Sequence, residues 1–358
     1  MKGYLDLLQE ILDEGCEKES GRANMPPTWG IEFGKIEMDM ADGFPLLTTK
    51  KMFWKGIVHE LLWFLRGDTN IKYLVDNGVN IWNGDAYRWY NKWWEESGKD
   101  LGGLRHMTME EFVEQVKQDS NCEYPWKWPG LEEITYTVGD LGKVYGWQWR
   151  NQHGVDQIND VFESLTNNPW SRYHIIDGWN KADFPDMALP PCHLLYQFIV
   201  RPLTIEERWD LFQEYEWQEP LGQTSDKDEE LHRICDNHGV PRFYLNLNMY
   251  QRSCDTFLGV PFNIASMSLL LMIFAKATNM IPGKARWLGG DVHLYMDHIP
   301  VVKDQIARNP KTLPQMVIKK DINILSDITA LTIDDFEVEN YDPDDKLYGE
   351  LFTGNKKP

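Results

Sequence analysis

The chain has 358 residues, in which 36 Lys and Arg face 56 Asp and Glu, giving a formal charge of −20. That excess of carboxylates excludes non-specific binding to nucleic acid or an anionic membrane, since both would repel it. A hydrophobic share of 42% excludes global disorder and leaves ample material for a core. If the ligand is an anion, a few arginines must build a positive site against this background.

In chain order, the spacing predicts a helix over residues 4–12, a Pro-Pro loop over 22–28 and a half-buried strand over 31–40. Residues 54–65 (WKGIVHELLWFL) have helical spacing and end at Gly67-Asp68-Thr69-Asn70, a stop followed by a new N-cap and a second helix. Residues 83–139 are charged and Trp-rich, and read as a helical insertion. Strands are expected at 174–180 and 193–200, flanking the turn Pro190-Pro191-Cys192. A second, acidic insertion at 202–241 bridges strands at 196–200 and 242–248. An apolar helix follows at 264–278, and the tail from Asp335 is acidic and polar. Both insertions read as decorations on one domain covering 1–358.

The five cysteines, at 16, 122, 192, 235 and 254, form no CxxC, and the N-terminus is acidic and amphipathic rather than a leader. The longest apolar run, 267–275, is too short for a membrane span. A reduced, cytoplasmic protein is expected, so each thiol is core filler or reactive.

Cys192 follows two prolines and precedes His193. Proline fixes φ and removes a donor, so this turn is stiff and presents the thiol in a defined direction. An arbitrary cysteine is most often inert. A nucleophile needs cations or N–H donors beside its thiolate. Arg252, Ser253 and Asp255, placed after a predicted strand, are the candidates. Either motif alone is weak.

Six segments in order are stronger: FPLLTTK (44–50), HELLWFLRGDTN (59–70), VYGWQWR (144–150), ALPPCH (188–193), QRSCDTFLGVPFNIAS (251–266) and GDVHLYMDH (290–298). The series resembles the thymidylate synthase family, which includes the viral pyrimidine hydroxymethylases, from about residue 15 to 343 with gaps at the insertions. The resemblance implies an α+β (mixed α/β) fold: one thymidylate synthase-like domain whose large mixed β-sheet is packed by helices. It also implies transfer of a one-carbon unit from 5,10-methylenetetrahydrofolate to C5 of a pyrimidine nucleoside monophosphate, with no metal.

Carried over residue by residue, Cys192 would attack C6 of the ring and make C5 nucleophilic. Arg252 would bind phosphate and favour the thiolate. Glu60 would organise protons around the ring; in an otherwise apolar helix its pKa can be raised for that work. Asn263 would read the base, accepting from uracil N3–H and donating to O4, whereas the related deoxycytidylate hydroxymethylases carry Asp there. His293 and Tyr295 would hold the deoxyribose 3′-hydroxyl, Ser253 the phosphate, and Asp255 the base side and the folate pterin. Tyr145 would share a hydrogen-bond network with the thiol, and His193 would stand behind it. Trp82, Leu189, Gly259 and Phe262 would line the folate pocket. Arg22 and Arg172 match phosphate-binding arginines shared between the subunits of a homodimer, but Tyr173 stands where a second Arg is usual.

Three departures bear on how the reaction ends: the loop after Arg22, Tyr173, and a polar tail over 344–358 in place of an apolar one. A changed lid admits water to the methylene carbon on C5, which hydrates it instead of reducing it. Trp82 argues for reduction. The sequence reading therefore favours a deoxyuridylate (dUMP) hydroxymethyltransferase giving 5-hydroxymethyl-dUMP, a product that suits a virus replacing thymine, with a location in the host cytoplasm. A thymidylate synthase making dTMP and dihydrofolate is the alternative, and a non-catalytic binding or scaffold protein a remote one.

Overall fold

The structure is a computed structural model that describes residues 1–21, 24–96, 106–118, 123–126, 134–214 and 227–353. The amphipathic N-terminus forms α1 (Lys2–Glu14), which buries Tyr4, Leu7, Leu8 and Ile11 on one face. After β1 (Cys16–Lys18), the expected strand at 31–40 proves to be two, β2 (Thr28–Ile31) and β3 (Gly34–Asp39), separated at Glu32-Phe33. Helix α2 (Trp54–Leu65) has the bounds its spacing predicts and is buried on nearly every side. A short α3 (Lys72–Asp76) follows, with Asn70 Oδ1 accepting from the Lys72 N–H at 2.9 Å.

The first insertion is not wholly helical. It contains α4 (Asn83–Glu96), α5 (Met109–Lys117) and an antiparallel ribbon of β4 (Glu123–Trp126) and β5 (Ile134–Thr137). Pattern reading missed the ribbon because its strands are four residues each, too short to establish a period. Next come α6 (Tyr145–Asn151), α7 (Gln157–Asn167), β6 (Ile175–Asp177) and β7 (His193–Pro202). The second insertion supplies α8 (Ile205–Glu214) and α9 (Lys227–Asn237) with a small core of their own. The chain re-enters the sheet through β8 (Phe243–Asp255), crosses over by α10 (Gly259–Ala277) and returns as β9 (Ile281–Tyr295).

The sheet has seven strands in the order β1-β2-β9-β8-β7-β6, with β3 beside β2 on the same edge of β9. Only β8 and β9 run parallel, as a helical crossover between neighbours requires. Helix α10 packs on both of them and on α2. It begins five residues earlier than its apolar run suggests, and its 19 residues are long and apolar enough to cross a membrane. Enclosure between sheet and α2 accounts for that composition: 72% of its most apolar window is buried.

Candidate active site

Sheet register assembles the site. Antiparallel pairing sets His193 opposite Gln251, and parallel pairing sets Ser253 opposite Asp291 and Asp255 opposite His293. The start of β7 and the ends of β8 and β9 therefore meet at one edge of the core. Arg252, Ser253 and Asp255 belong to β8 itself rather than to a loop after it, which corrects the sequence reading.

Cys192 sits at the entry to β7, held at both backbone ends. Its N–H donates to Tyr145 Oη at 2.6 Å, and its carbonyl accepts from the Arg252 N–H at 2.8 Å. The Arg252 guanidinium donates from Nε and Nη2 to Pro191 O and Pro190 O, each at 2.7 Å, and Nη2 stands 3.9 Å from the Cys192 sulfur. A fixed cation at that range favours the thiolate. Nη1 has no hydrogen-bond partner among the described residues.

Behind the thiol, His193 is buried, stacks on Tyr145 at 4.4 Å and bonds Tyr196 Oη through Nδ1 at 2.7 Å. Burial pushes its pKa down to about 3, so it is neutral at any working pH. Glu60, on α2, is only 8% exposed and accepts one bond, from Trp82 Nε1 at 2.7 Å. Desolvation raises its pKa to about 7, against a smaller lowering by Trp82. A carboxyl poised there can both give and take a proton near neutrality.

Asn263 lies on the second turn of α10, and its orientation is fixed by a relay. Trp287 Nε1 donates to Gln251 Oε1 at 2.8 Å, so Gln251 Nε2 faces outward and donates to Asn263 Oδ1 at 3.1 Å. That leaves the Asn263 amide N–H₂ and a second lone pair on Oδ1 for a ligand. Asp255 Oδ1 accepts from the Phe257 and Leu258 N–H groups at 3.2 and 3.1 Å, anchoring the turn into α10. His293 points Nδ1 at Asp291, 3.2 Å from its carbonyl and 3.4 Å from its carboxylate. Asp291 is held down to about 2 by His293 and by Lys18 at 3.1 Å. The Tyr295 ring lies 5.6 Å from that of His293.

A cavity of about 300 Å³ opens beside this cluster, lined by Phe53, Val79, Ile81, Phe262 and Leu351 among others. Trp82, next in the chain to Ile81, packs on Tyr145 and Phe64. Gly259 heads α10, where a Cβ would stand 3.6 Å from Asn263 Oδ1, and Leu189 is half-buried in the loop before Cys192. Aromatic and aliphatic walls with a carboxylate nearby fit a flat heteroaromatic co-substrate such as a folate. Arg22 lies outside the described residues. Arg172 and Tyr173 are exposed, Tyr173 at 85%, and no described contact joins either to Cys192 or Arg252 in the same chain.

Sequence reasoning missed four things. Lys50, the last residue of FPLLTTK, is 4% exposed, lies over the Phe257 ring and donates to Phe257 O; burial lowers its pKa to about 7. Gln251 and Trp287 went unassigned, although the first opens a quoted motif and the second stands just before another. The tail is the fourth. Tyr341 Oη donates to Leu47 O at 2.8 Å, and the Asp344 N–H to Thr48 O at 2.7 Å. His298 donates to Glu350 O at 3.0 Å, and the Phe352 ring packs on Tyr295 at 4.8 Å while Leu351, half exposed, lines the cavity. Through Thr353 this tail is seated on the site, not a polar appendage beginning at residue 344.

The family model for thymidylate synthase matches residues 2–352, well past the end at 343 that motif comparison set. Proteins named thymidylate synthase from Mycoplasma pneumoniae and Mesoplasma florum are each 39% identical, covering 98% of this chain and 99% of their own. One from an aster yellows phytoplasma is 38% identical over 352 residues. The chain belongs to the thymidylate synthase family. It is accordingly a one-carbon transferase.

Proposed function

We propose that the protein is a thymidylate synthase in activity: it methylates dUMP at C5, using 5,10-methylenetetrahydrofolate and releasing dihydrofolate. This is the second of the two endings read from the sequence. The preference for a hydroxymethyl product rested on three departures, the loop after Arg22, Tyr173 and the tail, and the seated tail is the observation that carries the opposite choice. Leu351 lining the cavity and Phe352 on Tyr295 close the folate side with apolar groups, which keeps water from the nucleotide's reactive carbon. The bacterial relatives' names support the same ending and lend nothing to a viral source.

In this reading Cys192 adds to C6, with Arg252 holding its thiolate and lending Nη1 to the phosphate. Glu60 moves protons at the ring. Asn263 reads uracil, and His293 accepts the sugar hydroxyl at Nε2 because Nδ1 is spent on Asp291. The folate supplies the one-carbon unit and the hydride. The enzyme works as a cytoplasmic homodimer with no part for nucleic acid, membrane or metal. Lys35, Glu37, Ile199, Arg201 and Tyr250 leave one sheet face open for a second copy, while Arg172 and Tyr173 reach from one subunit towards the other's phosphate.

The decisive assay incubates the enzyme with dUMP and methylenetetrahydrofolate, reading nucleotide mass and folate absorbance. Equal amounts of dTMP and dihydrofolate are expected. A 5-hydroxymethyl product with tetrahydrofolate would restore the first reading. Mixing Cys192→Ala with Arg172→Ala subunits should recover about a quarter of native activity through heterodimers. No recovery after demonstrated exchange would remove Arg172 from the shared site.

A further inference from the structure

Arg88, on α4 of the first insertion, makes contacts that the reaction chemistry does not by itself require. Its Nη1 donates to the carbonyl of Thr353 in the tail. Its Nη2 donates to Ala188 O at 3.3 Å, four residues before the nucleophile, and pairs with Asp85 at 2.5 Å one turn earlier on α4. The guanidinium thus spans three segments: the tail, the loop leading to Pro190-Pro191-Cys192, and the helix that begins just after Trp82. Gly84 fits the same contact from below. A Cβ there would meet Thr353 Cγ2 at 2.7 Å and Oγ1 at 2.8 Å, so only glycine lets the tail lie this close to α4. Lysine could not bridge the three acceptors, because a guanidinium's planar fork is what reaches them together.

We infer that Arg88 is a positioning residue that latches the tail at Thr353 to the loop before Cys192, so that closing the folate pocket and setting the nucleophile are one coupled event. This rests on the activity proposed above and assigns its water exclusion to one side chain. At the branch, a hydride carrying two electrons leaves the folate for the methylene carbon on C5, making a methyl group as the folate is oxidised to dihydrofolate; on either course the methylene π pair re-forms the ring C5–C6 double bond and the Cys192 sulfur leaves C6 as thiolate. If water arrives instead, its oxygen bonds that carbon, its proton is released, and the folate leaves as tetrahydrofolate with no oxidation. An unlatched tail should shift turnovers from the first course to the second.

The test uses full-length Arg88→Ala and Gly84→Ala, the second keeping the guanidinium while displacing Thr353; alanine is a good helix residue, so α4 is retained. In each free variant, amides of 347–353 should exchange with solvent at least tenfold faster than in wild type. Affinity for dUMP should stay within twofold. During turnover, dihydrofolate formed per nucleotide converted should fall clearly below one, with hydroxymethyl-dUMP making up the difference. Millimolar guanidinium should restore part of the ratio in Arg88→Ala, and Arg88→Lys should not. Unchanged tail exchange in both variants, or an unchanged folate ratio despite faster exchange, would overturn the inference. If wild type itself forms no dihydrofolate, the proposed activity fails, while the exchange measurement still decides whether Arg88 holds the tail.

Discussion

Two arginines are each gripped by a pair of backbone carbonyls and are used in opposite ways. Arg208, in the second insertion, is 1% exposed and donates from all three guanidinium nitrogens: to Pro241 O at 3.1 Å, Val240 O at 3.0 Å, Asp236 at 2.7 Å and His232 Nδ1 at 2.7 Å. Arg252, at the site, spends Nε and Nη2 on two proline carbonyls and keeps Nη1. No carboxylate pairs with Arg252 among the described residues, in a chain where acids outnumber bases 56 to 36. A fully bonded cation has nothing left for a ligand and serves the fold. A cation held by carbonyls keeps its full charge, oriented and available, so its surplus serves binding.

The largest effect should come from the group that the free cation supports. Cys192→Ala should lower turnover by at least about 10⁴-fold with the fold intact, since no second thiol can form the adduct. Near-native turnover would end the covalent mechanism. Arg252→Ala should cost about 10³-fold in kcat/KM for dUMP and flatten its dependence on ionic strength. Arg208→Ala should do the reverse: stability falls by about 2 kcal/mol in urea, because the Pro241 and Val240 carbonyls lose their donor while Asp236 keeps Arg242, and turnover per folded molecule holds. If Arg252→Ala chiefly unfolds the protein, or Arg208→Ala chiefly slows it, the distinction between spent and spare donors collapses.

That distinction was only partly legible in the sequence. Helix α2 was read to the residue, because its spacing is local and Gly67, in the left-handed region at φ 76°, ends it. The six motifs located Cys192, Glu60, Arg252 and Asn263 without a structure. The strand carrying Arg252 was cut short because polar residues at its end look like loop, when they face a site instead of a core. Gln251 was invisible for a different reason: its importance lies in bonds to Trp287 and Asn263, 36 and 12 residues away. The tail was misjudged because Leu351 and Phe352 are one apolar pair among polar residues, and their partners lie far back in the chain.

Glu60 extends the comparison to a carboxylate, and its effect is the smallest. Like Arg208 it is buried, but it accepts one hydrogen bond among the described residues, from Trp82, so desolvation dominates and its pKa rises to about 7. The folded chain therefore holds that proton more tightly than the unfolded chain, whose carboxyl titrates at its ordinary value of 4.5. The neutral carboxyl's contribution to stability is fully present below about pH 4 and is lost as pH rises from 4.5 through 7. A shift of that size corresponds to about 3 kcal/mol. Glu60→Gln cannot ionise, so apart from a constant offset it should match wild type at pH 4, gain on it through pH 6, and stand about 3 kcal/mol more stable at pH 8. The same variant should lose most turnover at every pH, because an amide cannot relay a proton. Urea unfolding of both proteins at those three values checks the first half. A stability difference that stays flat with pH would mean that the carboxylate is solvated or paired, and Glu60 would join Arg208 among the groups whose charge is already spent.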